Sequence, residues 1–161
     1  MKTELYKAIK TIDAKNLSDD DLEDLLVIFM ATKNALIRNQ ISFIFGDSHY
    51  DKAIPYILRK LNEKSVLHNN GSLVYSLGSF DMKNHFIDLL KIIYLHEYEP
   101  RLMAFEIVHK IAPSINSDTK NKAMEVLEGY KQELERNATD KGENSSLNFI
   151  EKTIELLQAP A

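Results

Sequence analysis

The chain of 161 residues has no cysteine and no tryptophan, and only four prolines and five glycines. Without a thiol it has no disulfide, no thiolate nucleophile and no sulfur-ligated metal centre. Its cations are scattered, and the nearest approaches to a basic run are Arg59-Lys60 and the Lys120, Lys122 pair. Affinity for a phosphate backbone comes largely from concentrated positive charge, so no nucleic-acid partner is expected. No apolar run is long enough to cross a bilayer, and the opening MKTELYKAIKTIDAKN is charged throughout. Neither a secretory leader nor a membrane segment is therefore expected, and the chain reads as cytoplasmic and complete. The Asn-x-Ser/Thr triplets at Asn16, Asn137 and Asn144 are then chance occurrences.

What is present is ordinary for a protein with a real core: 44% hydrophobic residues, 27% charged residues and a formal charge of −4. The size prior gives a single domain over residues 1–161. The strongest pattern is internal. Moved by 32 residues, Ile41, Phe43, Phe45 and Gly46 fall on Leu73, Tyr75, Leu77 and Gly78, and Ile54, Ile57, Leu58 and Leu61 fall on Phe86, Leu89, Leu90 and Ile93. Each unit reads as a helix ending at glycine, a polar turn and a second helix, which is the signature of stacked helical hairpins.

Around this repeat the chain divides into a divergent N-terminal hairpin at 1–34, repeat hairpins at 35–64, 69–97 and 98–137, and a capping helix at 146–158. In the first hairpin, Leu5, Ala8, Ile9 and Ile12 mark a helix over 3–14. Leu22, Leu25, Leu26, Ile28, Phe29 and Met30 mark a second helix after a Ser18 cap. The helix beginning near Ala35 is apolar on most sides and belongs between neighbours. Gly46 is expected to supply a left-handed residue after it. Pro55 and Pro100 sit where helices start, the position at which a missing amide does no harm. Residues 138–146, rich in Asn, Asp, Lys, Gly and Glu, read as a mobile loop. No stretch reads as strand, so the fold class is all-α with about nine helices.

No catalytic, cofactor-binding or metal-binding residue is nominated, and the chain is not expected to be an enzyme. His49, His68, His85, His96 and His109 form no metal-binding pair on one helix face, and His85 with Asp88 is only a three-residue spacing. Ser72 and Ser76 lack a nucleophile elbow, and Gly46, Gly71 and Gly78 make no phosphate loop.

Two features point instead to protein binding. Five of the seven residues from Ser18 to Asp24 are acidic. Ser18 and Asp21 fit a helix cap, while the surplus acids suit a basic partner. Tyrosines interleave with charges at Tyr56, Tyr75, Tyr94, Tyr98 and Tyr130. In a hairpin array the second helices line one surface, and tyrosine and arginine are common interface anchors. The candidate contact residues are Asp20, Asp21, Asp24, Tyr56, Arg59, Asp88 and Tyr94; Ile92 with Leu95 are expected on an exposed side, and whether two copies meet there is not fixed by the sequence.

The blocks Arg38-Asn-Gln-Ile-Ser-Phe-Ile-Phe-Gly46 with Ala53-Ile-Pro-Tyr-Ile-Leu58, Gly71-Ser-Leu-Val-Tyr-Ser-Leu-Gly78 with Phe86-Ile-Asp-Leu-Leu90, and Tyr98-Glu-Pro-Arg-Leu-Met-Ala-Phe105 resemble HEAT-like helical repeats. The resemblance covers roughly residues 35–111, in units shorter than the usual 40 or so. It implies a right-handed α-solenoid in which a helix-start arginine ties adjacent turns together. Arg38 and Arg101 match that arginine, and Asn70 departs from it. Small, acidic, cysteine-free chains of this kind are similar to bacterial immunity proteins of contact-dependent and other polymorphic toxin systems. That likeness implies binding to a basic toxin domain and covering its active site or substrate surface, by a chain that is a monomer or weak dimer alone. The alternatives are a HEAT-like adaptor or regulatory subunit and, behind it, a helical-repeat enzyme or DNA-binding protein.

Overall fold

The computed structural model describes residues 2–66, 70–137 and 142–159, and among these every regular element is helical: nine α-helices and five 3₁₀ turns, with no strand. The chain divides into two compact units, Met1–Phe80 and Asp81–Ala161.

The first unit is built around its third helix. α1 spans Lys2–Lys10, α2 Asp19–Ala31, α3 Ala35–Asp47, α4 Ile54–Leu61 and α5 Gly71–Leu77. Helices α1, α2 and α5 all pack on α3, while α4 packs on α5. Ile37, Ile41, Ile44 and Phe45 of α3 are buried, and Phe45 meets Phe29 of α2 edge to face at 5.8 Å and Tyr50 at 5.7 Å. Burying side chains of this size stabilises by about 1.5–3 kcal/mol each relative to leaving them exposed. Pro55 lies in the first turn of α4, as its missing amide requires.

The expected helix over 3–14 is shorter than its apolar spacing suggested. It stops at Lys10 because Asp13 opens a 3₁₀ turn at Ala14–Asn16, accepting from the Lys15 amide at 3.1 Å and the Asn16 side chain at 2.8 Å. The Ser48 hydroxyl then donates to the Ala14 carbonyl at 2.9 Å. Only Ile9 of the expected apolar face is buried, and Leu5 stands exposed.

Gly46 is a second correction. It is not a left-handed cap: α3 runs through it to Asp47, and the positive φ falls on His49 (51°). Gly46 is buried, and a Cβ placed there would meet Ser79 at 3.1 Å and the Ser76 carbonyl at 3.4 Å. Its small size lets the end of α5 approach.

In the second unit, α6 is Phe86–Leu95, α7 Tyr98–Ile111, α8 Ser117–Asn137 and α9 Ser146–Gln158. Helix α6 packs on α7, α8 and α9, and α9 packs on the other three. Phe86, Leu89, Leu90, Ile92 and Ile93 of α6 are all buried. Burial of Ile92 corrects its expected place on an exposed side with Leu95, which is exposed; three packed neighbours cover all but a strip of this helix. Arg101, buried near the start of α7, donates through Nε to the Ile93 carbonyl at 3.1 Å and through Nη2 to the His96 carbonyl at 2.7 Å, closing the end of α6. Its Nη1 donates to the Asn144 carbonyl. Of the loop expected to be mobile, residues 138–141 lie outside the described residues. The remainder is tied down by Arg101 and by Ser145, which accepts from the Asn148 amide at 3.1 Å as the N-cap of α9.

Candidate protein-binding surface

The acidic stretch folds as its residue order demands. Ser18 caps α2, its hydroxyl accepting from the Asp21 amide at 3.2 Å, while the Asp21 carboxylate accepts from the Ser18 amide at 2.9 Å and hydroxyl at 2.6 Å. These hydrogen bonds from the Ser18 side chain and backbone hold the Asp21 carboxyl below the usual carboxylate range. Asp21 is therefore engaged in its own helix. Asp19 and Glu23 share Lys52 at 3.4 and 3.7 Å, which raises the Lys52 pKa mainly through its hydrogen bond to Asp19. Asp20 and Asp24 remain, both exposed and one turn apart, and neither is paired among the described residues. Val27, a further turn along at three residues from Asp24, is 69% exposed. One edge of α2 thus presents two uncommitted carboxylates beside a bare apolar side chain.

Tyr56 and Arg59 stand together on the outer face of α4, both exposed. Their neighbour Lys60 does the opposite. It is buried, donates to the Met30 carbonyl at 2.9 Å and pairs with Glu63 at 3.0 Å, so half of the Arg59-Lys60 pair is structural. Arg38 of α3 is buried too, and burial lowers its pKa against the opposing pull of Glu63. The sequence signalled Arg38 through the repeat and gave no sign that Lys60 turns inward.

In the second unit, Asp88 of α6 is half-buried and meets His85 Nδ1 at 3.1 Å. Among the described residues no three His, Asp or Glu side chains gather as a metal site. Tyr94, near the end of α6, stacks flat on Tyr130 of α8, with ring centroids 4.1 Å apart and planes within 3°. Burial, followed by a hydrogen bond to Glu133 and that residue's charge, pushes the Tyr94 pKa up to about 12. Burial likewise raises that of Tyr130. Tyr94 is thus the anchor of a tyrosine pair.

Beside that pair, Lys122, Glu125, Val126, Gly129, Tyr130 and Glu133 line an open groove of about 490 Å³ along α8. Tyr130 was singled out in the sequence only as one tyrosine among several, and Gly129, Glu125 and Glu133 not at all. The available signal was Gly129 itself, a glycine in the middle of a 21-residue helix.

The seven sequence-nominated residues fall on three helices: Asp20, Asp21 and Asp24 on α2 and Tyr56 and Arg59 on α4 in the first unit, Asp88 and Tyr94 on α6 in the second. No protein-family model, no curated protein and no solved structure matches the chain.

Proposed function

We propose that the chain is an immunity protein: a cytoplasmic, HEAT-like α-solenoid without catalysis that binds a basic toxin domain and covers its active site or substrate surface. The observation that carries the reading is the edge of α2, where Asp20 and Asp24 stand uncommitted beside the exposed Val27 while Asp19, Asp21 and Glu23 are held by neighbours. Carboxylates left free around an apolar contact speed encounter with a positive partner, and the apolar group supplies contact after encounter. The repeat reading is supported by the packing of α5 on α3, helices at matching positions of successive units, and by Arg101, which ties the end of α6 to the start of α7.

The test is a pull-down that includes the product encoded immediately upstream, then co-expression with whatever toxic partner binds, followed by association kinetics. Rescue by a complex of nanomolar or tighter Kd, on the order of −12 kcal/mol, supports neutralisation. Rescue without tight binding, or several weak partners and no rescue, replaces it with the adaptor reading. Steering is tested by Asp20→Lys with Asp24→Lys, which leaves the Ser18–Asp21 cap intact. We expect association at low salt to slow about tenfold or more and most of its salt dependence to vanish. An unchanged rate rejects the role of α2.

A further inference from the structure

The groove on α8 has a chemistry of its own. Glu125, Gly129 and Glu133 succeed one another at four-residue intervals, so the two carboxylates stand one turn to either side of the glycine on the same face. Val126 and Tyr130 form the adjoining strip and are half-buried, and Tyr130 is held in place by its stack on Tyr94. The Tyr94 hydroxyl lies close enough to Glu133 for that carboxylate to raise its pKa, which places Glu133 at the edge of the tyrosine stack. Lys122 occupies one end, leaving two carboxylates against one ammonium along the groove.

Gly129 is not required by packing within the chain. It is exposed, and a Cβ placed there would meet nothing within 4 Å. Glycine in a helix interior is unfavourable relative to alanine, so this position spends helix stability without relieving any internal crowding. What the missing side chain leaves is a bare patch of helix backbone, walled by a tyrosine and bracketed by two acids. A flat, weakly hydrated cation fits that combination: its face lies against ring and backbone, and its edge donates to carboxylates.

The geometry points to this groove as the receptor for an arginine side chain projecting from the protein partner. The inference rests on the protein-binding reading above and specifies the chemistry of one contact in it. The occupant follows from charge and shape: a carboxylate or phosphate is repelled by Glu125 and Glu133, and an apolar side chain would strip water from both acids without replacing their hydrogen bonds.

The groove can be tested without knowing the partner. N-acetyl-arginine amide is titrated into the full-length ¹⁵N-labelled protein, with the neutral isostere N-acetyl-citrulline amide as the control at equal ionic strength. We expect saturable shifts at the Gly129 and Tyr130 amides with a Kd on the order of millimolar, and about fivefold or more weaker binding of citrulline. Gly129→Leu fills the groove at a position open to solvent, so it is expected to fold and to abolish those shifts. The pair Glu125→Gln and Glu133→Gln keeps shape and removes charge, and is expected to bring arginine down to the level of citrulline. Equal binding of the two probes, shifts that survive Gly129→Leu, or shifts confined to the acids of α2 would each overturn the site. A cognate toxin bound equally well by Gly129→Leu and by the natural chain also overturns it while leaving neutralisation standing. Arginine capture by a chain that rescues no toxin upholds the groove and rejects neutralisation.

Discussion

Phe43 and Tyr75 stand at matching positions of the 32-residue repeat and meet edge to face, with ring centroids 6.0 Å apart and planes at 87°. Phe43 lies on α3 and Tyr75 on α5, so like positions of successive units touch. A residue and its own 32-residue counterpart thus share one contact, where α5 packs on α3. A double-mutant cycle of Phe43→Leu and Tyr75→Leu, followed by urea unfolding, should give a coupling of about 0.5–1.5 kcal/mol. The 64% exposure of Tyr75 places the expectation at the low end. Strictly additive single changes would mean that the two rings merely adjoin.

Two glycines make opposite predictions. At Gly46 the space is filled by Ser79 and the Ser76 carbonyl, so Gly46→Val should overpack the α3–α5 contact and destabilise by about 1–3 kcal/mol. At Gly129 the space is empty, and Gly129→Ala should stabilise by up to about 1 kcal/mol through helix propensity and the reduced freedom of the unfolded chain. Thermal unfolding of the two variants checks both signs. A loss of stability at Gly129 would show that a side chain there meets something after all.

Most of the helices were legible because their signals are local. Ser18 three residues before Asp21, proline at two helix starts and apolar spacing near 3.6 each depend on a few adjacent residues, and each produced the expected element. The centrality of α3 was legible from its breadth of apolar surface, since a helix apolar on most sides needs several neighbours; that of α6 was not, and its Ile92 is buried where an exposed side was expected. Failures came where two local signals compete. Asp13 outbid the apolar spacing of residues 3–14, and Gly46 matched a helix-end glycine although its size, not its φ, is what the fold uses. Pairing within the second unit, α6 with α7 and α8 with α9, depends on long-range fit that no spacing rule encodes. The same holds for the candidate surface. Acids at 19–24 were visible, but which are committed depends on Lys52, about 30 residues away in sequence. Lys60 looked like a surface cation until the Met30 carbonyl and Glu63 gave it partners inside.

Arg101 holds three carbonyls, those of Ile93, His96 and Asn144, at a buried position. Hydrogen bonds from a charged donor contribute about 1.5–3 kcal/mol each, and they are not additive. Arg101→Met, of similar length, should therefore cost about 2–4 kcal/mol in unfolding free energy. Amide exchange should rise first at residues 142–146, which Arg101 ties to the end of α6. Arg101→Lys should recover little, because one ammonium does not reproduce a planar fork with donors aimed at three acceptors. Full recovery by lysine would mean that charge and not geometry is what the site requires.

Tyr94 supplies a pH dependence with a definite sign. Its pKa in the folded chain is pushed up to about 12, first by burial and then by Glu133, against 10.0 for an ordinary tyrosine. Between those values the unfolded chain has released this proton and the folded chain has not, so stability attributable to Tyr94 is intact below pH 10 and is lost as pH rises from there towards 12. Ultraviolet difference titration should accordingly resolve a late-ionising fraction among the seven tyrosines, with Tyr50 and Tyr130 also shifted upward by burial. Tyr94→Phe should remove one late-ionising ring. It should keep an aromatic ring stacked on Tyr130 while removing the hydroxyl beside Glu133. If the seven tyrosines of the natural chain and the six of the variant each ionise in a single step, the Tyr94 hydroxyl is solvated and apart from Glu133.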